Sequence, residues 1–497
     1  MTEEQSSYRQ IMKATSIFGG VQIFNIVISV IRSKFVAVLL GPGGMGIYGL
    51  LTSTTGLIDK FTNLGLSTSA VRNIAAANAT GDSRRVGTVV SVLRRLVWIT
   101  GIAGSIITLV FAPILSELTF GNKEYTFAFI WIAITLLLTQ ISSGQLVVLQ
   151  GMRKINFLAK ANLAGSTVGL FTTVPLYYVW GVKGIVPAII ITSFMTLVFS
   201  WHFSSKVKIE SVRVNKTDLF SEGGDMVRLG FFLSLSSIIS MALSYVVRIY
   251  ISHKGGVDQV GLYNAGFAII NTYVGLVFSA MSTDYFPRLS GVVHEPSKTK
   301  EIINQQAEVA ILILAPILTL FLVFINFVVI LLYSNKFLPI VSMIHWAALG
   351  IFFKAASWPV AYLIIAKGDS KLFFINELAA NIYVLGFNII GYYWKGLEGL
   401  GISFFVGYLL YFSQVFLISR LRYSFSFETA FYRIFGIQIL LGFLCFLVSR
   451  LFGAPYSYLI GSVFILSSSH ISFSELDRRL GLKLLILNKL GKKKELK

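Results

Sequence analysis

The chain has 497 residues, of which 55% are hydrophobic and only 13% charged, with a mean hydropathy of +0.75. A soluble protein of this size divides into domains with polar skins and carries about a quarter charged residues, so a soluble enzyme or binding protein is excluded. The formal charge of +20 does not point to nucleic acid, because the bases follow membrane topology rather than forming a patch.

Apolar blocks follow one another at about 14–40, 46–68, 88–115, 125–149, 157–179, 183–203, 227–252, 260–284, 307–333, 339–365, 372–394, 398–420, 427–449 and 455–473. Most are about 20 residues or longer, the length that crosses a bilayer as a helix, and lipid offers no partner for an unpaired backbone, so each is predicted helical. The fold class is therefore an all-α polytopic membrane protein with about fourteen spans. The first block is too long for the apolar core of a signal peptide and no small-residue cleavage site follows it.

Connections alternate in charge. LGPGG, WGVKG, HKGGVDQ, WKGLEG and LFGAPY are nearly neutral, whereas Arg72, Arg84 and Arg85, then Arg153, Lys154 and Lys160, then Lys206, Lys208, Arg213, Lys216 and Arg228 fall on the other side. About 31 of the 42 Lys and Arg share the side of the N-terminus, which the positive-inside rule assigns to the cytoplasm together with both termini. Cys445 is the only cysteine and the five histidines are scattered, so neither a disulfide, a metal nor any other cofactor is expected.

The chain also repeats itself at an offset of about 215 residues. Tyr177-Tyr178-Val179-Trp180-Gly181-Val182-Lys183-Gly184-Ile185 answers to Tyr392-Tyr393-Trp394-Lys395-Gly396-Leu397-Glu398-Gly399-Leu400, and Gly46-Ile47-Tyr48 to Gly261-Leu262-Tyr263. Gly151-x-x-Lys154-x-x-Phe157 pairs with Gly368-x-x-Lys371-x-x-Phe374, and Arg32 with Arg248. A repeat of six spans keeps its orientation, so two pseudo-symmetric six-helix lobes are expected. The expected boundaries are an N-lobe at 1–204, a cytoplasmic linker at 205–225, a C-lobe at 226–421, an extra helix pair at 422–474 and a basic cytoplasmic tail at 475–497. Two such lobes are an alternating-access design with the substrate path between them.

Polar residues inside spans are expensive and tend to be functional or hidden. Gln22, Asn25, Ser29 and Arg32 recur at helical spacing, as do Thr52, Thr55, Asp59 and Asn63 with Lys60 beside them. The same holds for Ser237, Ser240, Ser244 and Arg248, and for Glu377, Asn381 and Asn388. Lys354 lies mid-span, far from either headgroup region. The expected cationic path is Arg32, Arg248, Lys60 and Lys354, with Gln22, Asn25, Ser29, Asp59, Asn63, Ser244 and Asn381 lining it and Asp59 and Glu377 open to ion coupling. Arginine suits a phosphate because its planar fork takes two oxygens. The competing readings are snorkelling to headgroups for Arg32, Lys34 and Arg248, and structural pairing for Asp59, Lys60 and Glu377. Gly44-Met45-Gly46-Ile47-Tyr48-Gly49 fits G-x-G-x-x-G but sits in a turn between spans without a strand, so it is no dinucleotide site. No loop is long enough for the catalytic domain of a membrane enzyme.

Arg32-Ser33-Lys34-Phe35, Leu40-Gly41-Pro42-Gly43-Gly44-Met45-Gly46-Ile47-Tyr48, the segment Asn63–Arg72 and the doubled Tyr-Tyr-x-x-Gly-x-x-Gly corners carry a family resemblance. In them the chain resembles the polysaccharide transporter and O-antigen flippase (Wzx-type) branch of the multidrug/oligosaccharidyl-lipid/polysaccharide flippase superfamily. That resemblance implies two six-helix lobes around a cavity in the bacterial cytoplasmic (inner) membrane. It implies a substrate of undecaprenyl-diphosphate-linked oligosaccharide, such as a repeat unit for O-antigen or lipopolysaccharide biosynthesis, flipped from the cytoplasmic to the periplasmic leaflet. A polysaccharide polymerase and a chain-length regulator are then expected partners. An ion-coupled drug/cation antiporter of the same superfamily is the alternative, although its acidic lobes are not matched by a chain whose spans hold more bases than acids.

Overall fold

The computed structural model describes the backbone of residues 3–212 and 215–480, with side chains from residue 24 to 479 except at scattered positions between 216 and 283. The side chain of Gln22 and most of the expected basic tail lie outside the described residues. Among the described residues there is no strand. The helices are α1 (Glu3–Asn63), α2 (Leu66–Ala79), α3 (Ser83–Val110), α4 (Ala112–Phe120), α5 (Thr126–Gly151), α6 (Ile155–Trp180), α7 (Ile185–Ser205), α8 (Lys216–Gly255), α9 (Val257–Ala268), α10 (Gly275–Val292), α11 (Pro296–Leu332), α12 (Val341–Ala366), α13 (Ser370–Tyr423), α14 (Thr429–Leu451) and α15 (Tyr456–Leu480).

Ten helical stretches among the described residues are long and apolar enough to cross a membrane, which makes this a multi-pass membrane protein. Three of them, Phe24–Asn63, Ile155–Ser205 and Ser370–Tyr423, run to 40, 51 and 54 residues. At 1.5 Å per residue even the shortest would extend about 60 Å, twice the hydrocarbon thickness of about 30 Å. Each is interrupted by a glycine that no other residue replaces cheaply. Gly41 (φ 67, ψ −170) breaks α1 ahead of Pro42, and Gly396 (φ 57, ψ −133) turns α13 back on itself. A count of fourteen spans requires each of the three to cross twice and α9–α10 to cross once.

The chain forms two compact units, Met1–Leu262 with Leu332–Ser334, and Tyr263–Leu331 with Asn335–Lys497. In the first, α6 and α7 pack as a hairpin, with bare Gly165 and Gly169 against Thr196 and Thr192. Helix α8, expected to begin the second lobe, packs here against α1, α2 and α3. Glycine crossings tie it and the following α9 in: Gly65 against the backbone of Gly230 of α8, and, beyond the far end of α8, Gly46 against Val257 O with Gly261 of α9 against Pro42 O. The latter pair is reciprocal, since Pro42 and Val257 are themselves 215 residues apart, like Gly46 and Gly261.

In the second unit α13 is an antiparallel hairpin, held by Ser403 Oγ donating to Phe387 O at 2.5 Å and by Gln414 Nε2 donating to Asn376 Oδ1 at 2.8 Å. Helices α14 and α15 are zipped by buried Gln438, which donates to Ser472 Oγ and accepts from Ser468 Oγ. They are tied to the rest by Arg450–Glu398 at 2.5 Å, by Glu428 N donating to Asn304 Oδ1 at 2.8 Å, and by the ion pair of Arg479 with buried Glu308.

Two expectations need correcting. The second span ends at Asn63 rather than near residue 68, because Leu64 and Gly65 adopt φ 50 and 71 and the chain restarts as α2. The pairing of Gly151 with Gly368 is out of frame by two residues. Helix α5 ends at Gly151 and α12 at Ala366, so Gly368 (φ 74) answers to Arg153 (φ 54), and Asp369 to Lys154. The left-handed turn, not the glycine, is what repeats.

Candidate functional site

On α1 before its bend, Arg32 is half-buried and reaches across to α6, donating from Nη2 to Ser166 O at 3.3 Å. Gly169 makes room for it: a Cβ there would lie 3.0 Å from Nη2. Arg32 Nε and Asn25 Oδ1 are buried without a hydrogen-bond partner among the described residues, while Ser29 is exposed. The two unmet polar atoms lie seven residues apart on one face of α1, so part of its polar stripe is turned inward. Lys34 differs, because its Nζ is bonded to Tyr333 O at 2.6 Å.

Past the bend, Asp59 and Asn63 are joined by a residue the sequence reading passed over. Gln140 of α5, fully buried, donates from Nε2 to Asp59 Oδ1 at 2.8 Å and accepts at Oε1 from Asn63 Nδ2 at 2.6 Å. Asp59 thus takes an amide rather than the adjacent Lys60, which is exposed. The polar stretch Thr139-Gln140-Ile141-Ser142-Ser143-Gly144-Gln145 of α5 was the signal that could have found it. On α8, Arg248 Nη1 folds back onto Ser244, to its carbonyl at 3.1 Å and its Oγ at 2.7 Å. Tyr245 next door shares its hydroxyl with Thr54 at 2.9 Å and Thr119 at 2.6 Å. That network links α1, α4 and α8.

In the second unit, Lys354 of α12 holds its ammonium over two rings, 5.6 Å from the centre of Phe278 and 5.3 Å from that of Tyr408. Cation–π contact stabilises a desolvated cation without cancelling its charge. Glu377 of α13 accepts from Tyr411 Oη at 2.6 Å and from Asn376 Nδ2 at 3.3 Å, and its carbonyl takes Asn381 Nδ2 at 2.8 Å. Tyr408, Tyr411 and Gln414 recur every third residue, a helical signal in the sequence that the polar stripes first singled out did not include.

The arrangement has an electrostatic bias. Among the described residues Arg32, Lys60 and Lys354 form no ion pair, while Asp59 and Glu377 are met by neutral donors. Positive charge inside the helices is left uncompensated, which suits an anionic ligand.

Comparison with known proteins bears on both fold and role. Residues 35–342 match the family described as "Polysaccharide biosynthesis protein". The chain is 22% identical over 407 residues to the lipid III flippase of Escherichia coli (strain K12), covering 78% of this chain and 94% of the relative. It is 25% identical over 389 residues to a Shigella flexneri protein provisionally named an O-antigen transporter, covering 76% and 90%. Among solved structures, the lipid II flippase MurJ in its inward closed conformation superposes with a TM-score of 0.71 at 12% identity, over 94% of this chain and 99% of that one. An inward-facing multidrug resistance MATE family transporter of the MOP superfamily gives 0.65 at 17% identity, over 82% and 96%. At such identities these structures speak for the fold alone, and that fold is polytopic and all-helical, as expected.

Proposed function

Because the chain belongs to the family of polysaccharide biosynthesis proteins, we propose that it flips a polyprenyl-diphosphate-linked oligosaccharide from the cytoplasmic to the periplasmic leaflet of a bacterial inner membrane. The substrate in this reading is an undecaprenyl-diphosphate repeat unit of O-antigen or a similar surface polysaccharide. The observation that carries it is the set of cations within the helices that have no carboxylate partner among the described residues, Arg32 and Lys354 above all. A diphosphate brings two to three negative charges, and an arginine fork with a lysine point charge is matched to it. The relatives' names, lipid III flippase and O-antigen transporter, support the same substrate class.

In this mechanism the two repeats, 1–204 and 226–421 about the linker 205–225, act as lobes, and the polar track of Asn25, Ser29, Asp59, Asn63, Ser244 and Asn381 hydrates the glycan. Arg32, Arg248, Lys60 and Lys354 hold the diphosphate while the prenyl tail stays in lipid. The basic end with both termini faces the cytoplasm, and a polymerase with its chain-length regulator removes the product. Binding, orientation and release are all that the residues need to supply; no bond is made or broken.

In a strain lacking the gene, Arg32→Ala and Lys354→Ala should each reduce export of surface glycan, with Lys354→Arg retaining more of it than Lys354→Ala. Wild-type export by both alanine variants, at wild-type abundance in the membrane, rejects the reading. The second reading is an ion-coupled drug/cation antiporter. It is favoured by Glu377, whose hydrogen bond from Tyr411 would be remade as a proton or sodium ion arrives. Drug resistance that depends on Glu377, with glycan export untouched by Glu377→Gln, would select it.

A further inference from the structure

Helices α2, α3 and α8 line an open cavity of about 680 Å³ at the arginine-rich end of the first unit, where Arg72, Asp225 and Arg228 are exposed. Arg72 and Asn73 enter it from α2, Arg85 from α3, and Glu222, Asp225 and Arg228 from α8. Read for topology alone, these arginines only orient the chain in the membrane. Their placement says more, because three helices bring them to one concavity from positions up to 156 residues apart.

The lining is held from beneath. On α2 the buried residues Leu66, Ala70, Ile74 and Ala77 recur at helical spacing and pack with Val86, Val89, Val90 and fully buried Met226. This one core fixes α2, α3 and α8 together, with Arg72 on the side of α2 turned away from it and Asn73 and Ala77 at the edge between core and cavity. Arg85 and Glu222 close an ion pair at 2.6 Å across α3 and α8, which takes one carboxylate out of play. Arg72 and Arg228 then face the single remaining acid, Asp225, and neither forms an ion pair among the described residues. The balance is positive, with two guanidinium forks free. Leu229 adds an apolar side to the same space, with Val89, 1% exposed, in the core beneath it. Arg228 and Leu229 directly precede Gly230, so the cavity opens beside the Gly65–Gly230 backbone crossing, where α8 comes against the start of α2.

We infer that this cavity is a binding site for the phosphate ester of a lipid, taken up at the mouth of the helix crossing before any passage through the membrane. Two guanidinium forks bind phosphate oxygens, and the apolar side accepts the first carbons beyond the ester. The phosphate comes either from the prenyl diphosphate of the substrate or from an anionic phospholipid. The first of these sources rests on the proposed transport function; the site itself does not.

The test uses full-length protein in nanodiscs. One arm has phosphatidylcholine discs with farnesyl diphosphate added. The other has discs containing phosphatidylglycerol, with bound lipid counted by native mass spectrometry. The variants are Arg72→Gln/Arg228→Gln and, as a control for general charge, Arg94→Gln/Arg95→Gln, which alters two exposed arginines outside the cavity. Thermal unfolding checks that both variants are folded, and Arg72→Lys/Arg228→Lys keeps the charge without the fork. Loss of about tenfold in affinity for farnesyl diphosphate in the cavity variant, with the control within about twofold, supports the site with the substrate's phosphate as ligand. The same loss confined to phosphatidylglycerol supports the site with a phospholipid as ligand. No loss in either arm, or an equal loss in the control, overturns it. Neither arm requires transport. A failure of the transport reading, seen as undiminished export by the Arg32 and Lys354 alanine variants, is therefore distinguishable from a failure here.

Discussion

The α6–α7 corner and the corner inside α13 have the same backbone and different chemistry. Gly181 stands at φ 55, ψ −132 and Gly396, 215 residues later, at φ 57, ψ −133. Gly184 sits against Leu176 O and Gly399 against Gly391 O, again in the same frame. The first tyrosine of each pair is buried, Tyr177 and Tyr392, while the second is exposed, 78% for Tyr178 and 80% for Tyr393. They differ at several positions, Val179 against Trp394 and Trp180 against Lys395 among them, and one of the changes makes a new contact. Lys183 is exposed in the first corner, whereas its counterpart Glu398 takes Arg450 of α14 at 2.5 Å and Trp346 Nε1 at 3.0 Å. A duplicated turn keeps the residues its backbone demands and is free to change the rest. Here the changed residue anchors the helix pair that the first half lacks.

Four measurements would break or sharpen that comparison. The largest effect is expected for Gly399→Val, whose side chain would drive into the Gly391 carbonyl. Overpacking costs about 1–3 kcal/mol or more, and backbone gives way less readily than a side chain, so folded protein should fall sharply in a detergent-stability assay. Gly184→Val, with a Cβ 2.5 Å from Leu176 O, should follow it. Next, Gly181→Ala and Gly396→Ala should each cost about 1–3 kcal/mol, since that backbone region is nearly closed to residues with a Cβ. Unequal losses on thermal unfolding would say that the corners are not equivalent. Third, Glu398→Gln should lower stability by about 1 kcal/mol through the Arg450 pair, while Lys183→Gln should change nothing measurable; Glu398→Gln in an Arg450→Gln background should add little. The smallest effect concerns the turn before α13. Hydrogen bonds from Arg422 at 2.9 Å and Tyr423 at 2.6 Å hold the Asp369 carboxyl below its ordinary value. A depressed carboxylate stabilises the fold above its unfolded pKa of about 3.9 and loses that contribution as pH falls through the lowered value. A slight acid destabilisation should therefore appear in the wild type below about pH 4 and be absent in Asp369→Asn.

These corners were legible in the amino-acid sequence because their glycines answer to a local backbone need that recurs at a fixed offset. So were the spans, whose apolar length is set by the bilayer. The frame around Gly151 was not, because a left-handed turn admits Arg153 as well as Gly368 and identity of letters misled. Helix α2 was overlooked since a short helix after a span reads as loop, although Leu66, Ala70, Ile74 and Ala77 carry its period. At the candidate site the stripes marked which residues matter, and the structure supplied what they hold: Gln140 bridging Asp59 to Asn63, Tyr411 on Glu377, and two rings around Lys354. Such partners come from another helix or, for Glu377, from the second limb of its own hairpin, and spacing along one segment says nothing about the segment packed beside it.

The reciprocal crossing of Gly46 on Val257 and Gly261 on Pro42 has a thermal consequence. Peptide meets peptide there, so parting the seam would wet amide groups and little hydrocarbon. Apolar exposure raises the heat capacity and polar exposure lowers it. An opening at this seam would then carry almost no positive heat-capacity change, and its equilibrium would follow a nearly straight van 't Hoff line, where a seam of leucines would bend.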